Sequence, residues 1–317
     1  MKPYLQFLVI LLDDTSVSYC HANNPLTERK LMPLDILRQS IRFGMKHNLM
    51  IQFVYPNYEL PAEYNKLIET IDHIKIGRDV QILDYVPQMS DTHNLVLRLT
   101  IADFISKQYE IADLLPQITR LNICLTNVED FKDEQIDEYK KALTTLNVVL
   151  LNLYKQGKNP QLNFITDCLQ LTEMKNCGAG VVNITIAPNG KFYLCPAFYY
   201  DEQSGLSNRM NYKTKEVSRS IGDLEHGIDI PNKHLLQLEY APLCRICDAF
   251  HCNRCIWLNQ KLTWDNNTPS RQQCVLAHLE RNAARDLQLN LKKTGFVIGR
   301  EIKEITYLDP FDIKEEN

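Results

Sequence analysis

Along the first half of the chain, apolar and polar positions alternate in blocks of two kinds. Residues 6–12 form an almost unbroken apolar run, as expected of a strand buried on both faces. The run ends in the turn-like polar segment Asp13-Asp14-Thr15-Ser16. Pro33 stands where a first helical turn can begin, and Leu34, Leu37, Ile41 and Met45 then recur at helical spacing. Residues 49–55, 80–85, 94–100, 121–125 and 162–165 have strand character. Between them, Pro61 opens a short helix carrying Leu67, Ile68 and Ile71, residues 101–115 read as helical, and residues 133–155 read as a long helix. Strands alternating with helices predict a mostly parallel α/β sheet or an open (β/α) barrel of about six strands over residues 1–167.

From residue 176 the pattern changes. Residues 181–187 alternate as a strand, Pro188-Asn189-Gly190-Lys191 is a hairpin turn signal, and residues 192–194 return. Residues 203–219 are polar and read as a loop. Residues 220–230 and 235–243 lead into a cysteine-rich stretch. Residues 271–287 form the clearest C-terminal helix, with Val275, Leu276, Leu279 and Ala283 on one face. Residues 296–312 are expected to add a strand or a docking tail, and residues 314–317 are a charged end. The sequence shows neither an internal repeat nor a low-complexity segment.

The 317 residues suit one large or two medium domains, and 44% hydrophobic with 23% charged residues describes a globular chain. A net charge of −4 carries no basic bias, so a nucleic-acid partner is not expected. The longest clean apolar run, Phe7 to Leu12, is too short to span a bilayer, so no membrane partner is expected. The N-terminal stretch also lacks the features of a secretory signal. These readings predict a cytoplasmic protein. In a reducing compartment, ten cysteines favour metal binding over disulfides.

Seven of the ten cysteines fall into one order: Cys177-x12-Gly190-x4-Cys195, then Cys244-x2-Cys247-x4-Cys252-x2-Cys255, then Cys274. Cys-x2-Cys brings two sulfurs together locally, because a two-residue turn points both inward. The four cysteines between Cys244 and Cys255 are denser than a zinc ribbon, whose pairs stand ~15–20 residues apart. Such density is typical of iron–sulfur loops. A single structural zinc and unligated thiols are the alternatives. Gly190 suits a hairpin with positive φ that returns Cys195 towards Cys177. Gly178 and Gly180 read either as sites of close backbone approach to a cluster or as flexible-loop glycines. Cys124, in an apolar stretch, reads as a core residue. His251 reads as a solvated loop histidine, with ligation as the rarer alternative.

This order of Cys, turn Gly, Cys, four-Cys loop and terminal Cys resembles the SPASM domain of radical SAM peptide maturases. The family pattern is Cys-x9–15-Gly-x4-Cys, then Cys-x2-Cys-x5-Cys-x3-Cys, then Cys. The likeness runs from about Cys168 to Leu287, and the four-Cys loop departs from it with x4 and x2 in place of x5 and x3. The resemblance implies two auxiliary [4Fe–4S] clusters. Cys177, Cys195 and Cys255 would hold the first, with Cys168 available as a fourth ligand. Cys244, Cys247, Cys252 and Cys274 would hold the second.

Radical SAM enzymes bind their catalytic cluster through Cys-x3-Cys-x2-Cys after the first barrel strand. In the matching segment, Asp13 to Cys20, the first two ligand positions hold Asp13 and Val17, and only Cys20 remains. Valine cannot ligate iron, so a normal three-thiolate site is excluded. The Gly-Gly-Glu-Pro motif after the second strand is replaced by Asn57-Tyr58-Glu59-Leu60-Pro61, retaining at most Glu59, which argues against SAM binding. The segments around Asp13–Cys20 and Phe53–Pro61 resemble the CXXX repeat peptide maturases, bacterial proteins encoded with a cysteine-repeat precursor peptide.

The resemblance therefore implies an α/β fold. A partial (β/α)6 radical SAM-like barrel (1–167) is followed by a small cysteine-rich SPASM-like domain (168–288) and a C-terminal tail (289–317). It implies maturation of a cysteine-repeat (CXXX) ribosomal peptide, with the clusters binding the peptide or moving electrons. One alternative is a non-catalytic partner that presents the peptide to a companion radical SAM enzyme. Another is a zinc-stapled binding module. No catalytic residue is assigned. Asp13, Asp14 and Glu59 at strand ends read as a polar pocket or as loop starts and helix caps. Cys20 has no sequence neighbour that marks it as an activated thiol.

Overall fold

The computed structural model describes residues 5–90, 92–174, 177–205, 218–296, 299–303 and 307–310. In chain order its elements are β1 (Phe7–Leu11), α1 (Leu34–Lys46), β2 (Met50–Val54), α2 (Ala62–Ile68), β3 (His73–Ile76), β4 (Gln81–Leu83), β5 (Asn94–Leu99), α3 (Ile101–Ser106), α4 (Gln108–Leu114), β6 (Arg120–Leu125), α5 (Ile136–Lys155), β7 (Gln161–Leu162) and α6 (Thr166–Gln170). There follow β8 (Asn183–Ile186), β9 (Phe192–Tyr193), α7 (Pro196–Gln203), β10 (Gly222–Asp223), β11 (Gly227–Ile228), α8 (Ile256–Thr263) and α9 (Arg271–Lys293). The chain divides into two compact units, each built from two stretches. Unit 1 takes residues 1–82 and 178–240, and unit 2 takes residues 83–177 and 241–317.

Unit 1 is organised by a five-stranded sheet in the order β3-β2-β1-β8-β9. β1 is central, paired parallel with β2 (Leu8 against Ile51) and with β8 (Leu8 against Ile184). Its continuous apolar composition follows from burial on both faces: Leu8, Ile10 and Leu11 are fully buried. β9 returns antiparallel through a hairpin in which Gly190 has φ +76° and its N–H bonds Ala187 O at 2.9 Å. That is the left-handed turn expected of this glycine. α1 packs closely on β1 and β2. A Cβ on Gly44 would stand 2.7 Å from Ile51 Cδ1 and 3.2 Å from Leu8 Cδ2.

Unit 2 holds the parallel strands β5, β6 and β7, with Leu95 opposite Leu121 and Leu121 opposite Leu162. The long helices α5 and α9 pack against each other, joined by Asn147 Nδ2 donating to Ala283 O at 2.7 Å. Tyr139 of α5 forms an aromatic cluster with Phe104, Phe131 and, through Phe104, Phe164. α9 buries Val275, Leu276, Leu279 and Ala283, the face read from its sequence, and runs on to Lys293.

Several elements differ from the sequence pattern. The helix expected over residues 101–115 is two helices, α3 and α4. Gln108 folds back to donate to Ile105 O at 2.9 Å, so its side chain serves the carbonyl end of α3. Only residues 161–162 of the expected strand 162–165 pair, because Thr166 Oγ1 accepts from Leu162 N and starts the turn into α6. β3 and α7 were not expected. Pro196–Tyr200 of α7 are buried without interruption, which leaves no helical periodicity to read. Most of the loop expected over 203–219, and residues 314–317, lie outside the described residues. Within 296–312 the described residues contain no strand.

Candidate metal centre

The cysteine loop 244–255 belongs to unit 2 and lies beside α9. A short helical turn over Cys244–Ile246 closes with Cys247 N donating to Cys244 O at 3.2 Å, which sets the first two sulfurs on one side. Cys252 N donates to Ala249 O at 3.0 Å, and Ala249 N donates to Cys247 Sγ at 3.4 Å. Arg254 bends the chain with φ +40° and is buried, donating to Asn267 Oδ1 at 2.7 Å. Cys255 then caps α8, its sulfur accepting from Leu258 N at 3.5 Å. Cys274 enters from the first turn of α9.

Cys244, Cys247, Cys252 and Cys274 line one cavity of about 280 Å³, together with Arg254 and His278. These are the four cysteines that the resemblance implies for one cluster. Burial pushes the Cys244 thiol up to about 11, with Cys247 adding to the rise and the Arg254 cation opposing it. Burial likewise pushes Cys252 up to about 12, and the charges of Cys244 and Cys247 add to it. Cys274 is raised by burial and then by Cys252, Cys244 and Cys247. Four thiols that resist ionisation singly and penalise each other's charge form a donor set suited to a cation, which reverses both effects. Among the described residues, no group of three or more His, Cys, Asp or Glu side chains is set to hold a single metal ion.

Two ion pairs fix this loop to α9. Arg281 binds Asp248 through Nε at 2.5 Å and Nη2 at 2.8 Å, and Arg300 joins the same carboxylate at 3.3 Å. Asp248 is thereby held below the usual carboxylate range, the two guanidiniums outweighing its burial. One register along, His251 Nε2 meets Glu280 Oε2 at 3.0 Å, and Tyr139 of α5 donates to Glu280 Oε1 at 2.6 Å. His251 is therefore a buried histidine, not a solvated one, with its side chain only 2% exposed. Burial alone would lower its pKa, but contact with Cys168 and Glu280 outweighs this and raises it to about 10.

The remaining cysteines are placed as follows. Cys168 is buried on α6, next to His251 and near enough to Cys247 to raise its pKa. Cys177 is exposed, and its N–H binds Asn253 O at 3.0 Å, tying it to the cysteine loop. Cys195 belongs to unit 1, at the start of α7. Cys124 lies on β6 in register with Arg98, and burial pushes its thiol up to about 12.

In unit 1 the turn after β1 is filled by its own polar groups. Asp13 is fully buried: Oδ1 accepts from Thr15 N at 2.8 Å and Oδ2 from Tyr58 Oη at 2.9 Å. Tyr199 donates to Asp14 Oδ1, and Ser16 Oγ donates to Val54 O at 2.9 Å. Glu59 stands apart, 88% exposed, and pairs with Arg78. Asp13 and Asp14 thus act as turn-closing groups, and Glu59 does not join them in a pocket.

No family model matches the chain, and no curated protein matches it significantly. Among solved structures, anSMEcpe with bound AdoMet aligns over 91% of this chain and 96% of its own, at 12% identity and a TM-score of 0.57. The same protein with AdoMet and Cp18Cys peptide aligns over 92% of this chain and 100% of its own, at 12% identity and 0.57. With Kp18Cys peptide the figures are 90%, 99%, 11% and 0.53. The chain shares the overall fold of this neighbour.

That fold brings residues to the cavity that the cysteine pattern does not contain. His278 follows Cys274 by four positions on α9, a spacing that puts both on one helix face and was visible in the sequence. Asp248, Arg281 and Glu280, which hold the loop beside it, carried no such signal, because the pairs Asp248–Arg281 and His251–Glu280 join a loop to a helix about thirty residues further along.

Proposed function

We propose that this protein serves in the maturation of a ribosomal peptide as a SPASM-type iron–sulfur protein. The observation that carries the reading is the single cavity lined by Cys244, Cys247, Cys252 and Cys274. Four thiols converging on one space form a soft-metal donor set, and the density of cysteines in the loop favours a multi-iron cluster over one zinc ion. The cysteine order supports Cys177, Cys195 and Cys255, with Cys168 as fourth ligand, for a first [4Fe–4S] cluster. It likewise supports the cavity set for a second. Such a cluster, when bound, supplies one-electron transfer. The chain's part is to release the thiol protons as the metal enters, to hold the loop by Asp248–Arg281, and to offset thiolate charge with the buried Arg254.

The same reading takes the chain as a partial (β/α)6 barrel (1–167), a SPASM-like domain (168–288) and a tail (289–317). The compact units are a separate property of packing. Its substrate would be a cysteine-repeat (CXXX) precursor, consistent with a fold shared with an enzyme solved with bound peptides. Cytoplasmic placement fits a chain whose ten cysteines read as metal ligands more than as disulfides, and no described helix is long and apolar enough to cross a membrane.

Anaerobic purification with iron and sulfide analysis tests the assignment. About four or eight irons per chain and a brown protein are expected, at four per [4Fe–4S] cluster. A colourless protein with one zinc would sink it.

A second reading is favoured by the turn after β1. Asp13, Val17 and the hydrogen bonds of Asp13 and Asp14 leave no three-thiolate loop for a SAM-binding cluster. The chain would then present the peptide to a companion radical SAM enzyme. Peptide modification by this protein alone, with SAM and reductant, would reject that role.

A further inference from the structure

Beyond α9 the described chain runs back along that helix. Near the end of α9, Gln288 Nε2 donates to Arg300 O at 2.6 Å and Gln288 Oε1 accepts from Ile302 N at 3.0 Å. Arg300 reaches the cysteine loop there, donating to Asp248 O at 2.6 Å, with its guanidinium 4.1 Å from the Phe250 ring centre. Nearer the start of α9, Leu308 O accepts from His278 Nδ1 at 2.5 Å, and the Tyr307 ring stands edge-on to the same imidazole. Asp309 Oδ2 accepts from Arg271 Nε at 2.5 Å, its side chain only 8% exposed. Tyr307 and Pro310 line the cavity that holds Cys244, Cys247, Cys252 and Cys274.

Part of the cavity wall is thus a stretch that belongs to no helix or strand, attached to α9 by a carbonyl, a ring and a carboxylate. It carries no thiol, so it can move without displacing a ligand. A wall attached by few side-chain contacts opens locally at far less cost than the packed helix it rests on. Arg271 keeps its orientation when Asp309 leaves, because Nη1 and Nη2 hold Asp133 at 2.8 and 3.1 Å. We propose that residues 307–310 are a clasp over the cysteine cavity, latched by Asp309–Arg271, whose opening sets the rate at which reagents and metal ions reach the four thiols. The inference goes beyond the iron–sulfur reading, since it holds for whichever soft cation the thiols take.

The test is labelling of the reduced, metal-free full chain with a maleimide, each cysteine followed by peptide mass spectrometry and the exposed Cys177 serving as the internal reference. In the wild type the cavity thiols should label more slowly than Cys177. Asp309→Ala should speed them about tenfold, the factor expected of one lost charge-assisted hydrogen bond when opening precedes labelling. Asp133→Ala, which removes the other partner of Arg271 and leaves the latch, should label at the wild-type rate. Should Asp309→Ala not fold, Tyr307→Ala, which removes only the ring, must speed the same thiols. Cavity thiols as fast as Cys177 in the wild type, no change in the latch variant, or equal acceleration in Asp133→Ala would overturn the inference and leave the iron–sulfur reading untouched. Zinc in place of iron in the anaerobic protein would overturn that reading and not the clasp.

Discussion

Replacing Glu280 by Gln keeps the volume of a buried side chain and removes its charge. Both Glu280 oxygens are engaged, one by His251 at 3.0 Å and one by Tyr139 at 2.6 Å, and the two side chains of the ion pair are only 2% and 8% exposed. The glutamine still accepts from Tyr139, so the change falls on His251. Breaking a buried pair by removing one partner costs about 3–5 kcal/mol. The histidine offers a second estimate. Its pKa rises from 6.5 to about 10, and at ~1.36 kcal/mol per unit this is an upper bound of about 5 kcal/mol, shared between Glu280 and Cys168. We therefore expect Glu280→Gln to destabilise the metal-free chain by about 3 kcal/mol at pH 6.

The pH dependence follows from the sign of that shift. A folded-state pKa above the unfolded one stabilises fully below about 6.5, and the stabilisation is lost as pH rises through about 10. Urea unfolding of the metal-free protein between pH 6 and 10 should show stability declining in the wild type and a much flatter profile in Glu280→Gln. A loss under about 1 kcal/mol at pH 6 with parallel profiles would refute the proposed charge on His251.

Three further outcomes are expected. If the proposed iron–sulfur centre is bound, Cys252→Ser should lower the iron content by metal analysis, while Cys124→Ser, on β6, should leave it unchanged. Asp13→Ala removes the acceptor for Thr15 N and for Tyr58 Oη in a fully buried turn, and should destabilise by about 2–4 kcal/mol in denaturant unfolding, with Asp13→Asn milder. Gly44→Ala would gain up to about 1 kcal/mol of helix propensity, yet its Cβ meets Ile51 Cδ1 at 2.7 Å, so thermal unfolding should show a net loss of about 1–2 kcal/mol.

Much of the fold was legible in the chain, for local reasons. The apolar run of β1 reports burial on both faces, the stripe of α9 reports one buried face, and Pro188-Asn189-Gly190-Lys191 reports a turn whose glycine has φ +76°. β3 and α7 were not legible. The burial of β3 depends on pairing with β2, and five consecutive buried residues in α7 erase its period. Of the candidate centre, Cys-x2-Cys spacing marked only Cys244 and Cys247 as brought together within one turn; that Cys252 and Cys274 join them was implied by the resemblance alone.

The sequence by itself determined which thiols could bind a soft metal, and that Val17 offers no thiolate in the turn after β1. Tertiary structure alone decided the environment of those atoms. It made His251 a buried partner of Glu280, set Arg281 against Asp248, turned Asp13 into a closed turn, and aimed His278 at Cys247. Ligand spacing is a property of a dozen neighbouring residues. Charge, burial and hydrogen bonding depend on groups that meet only when α5, α6 and α9 pack around the cysteine loop.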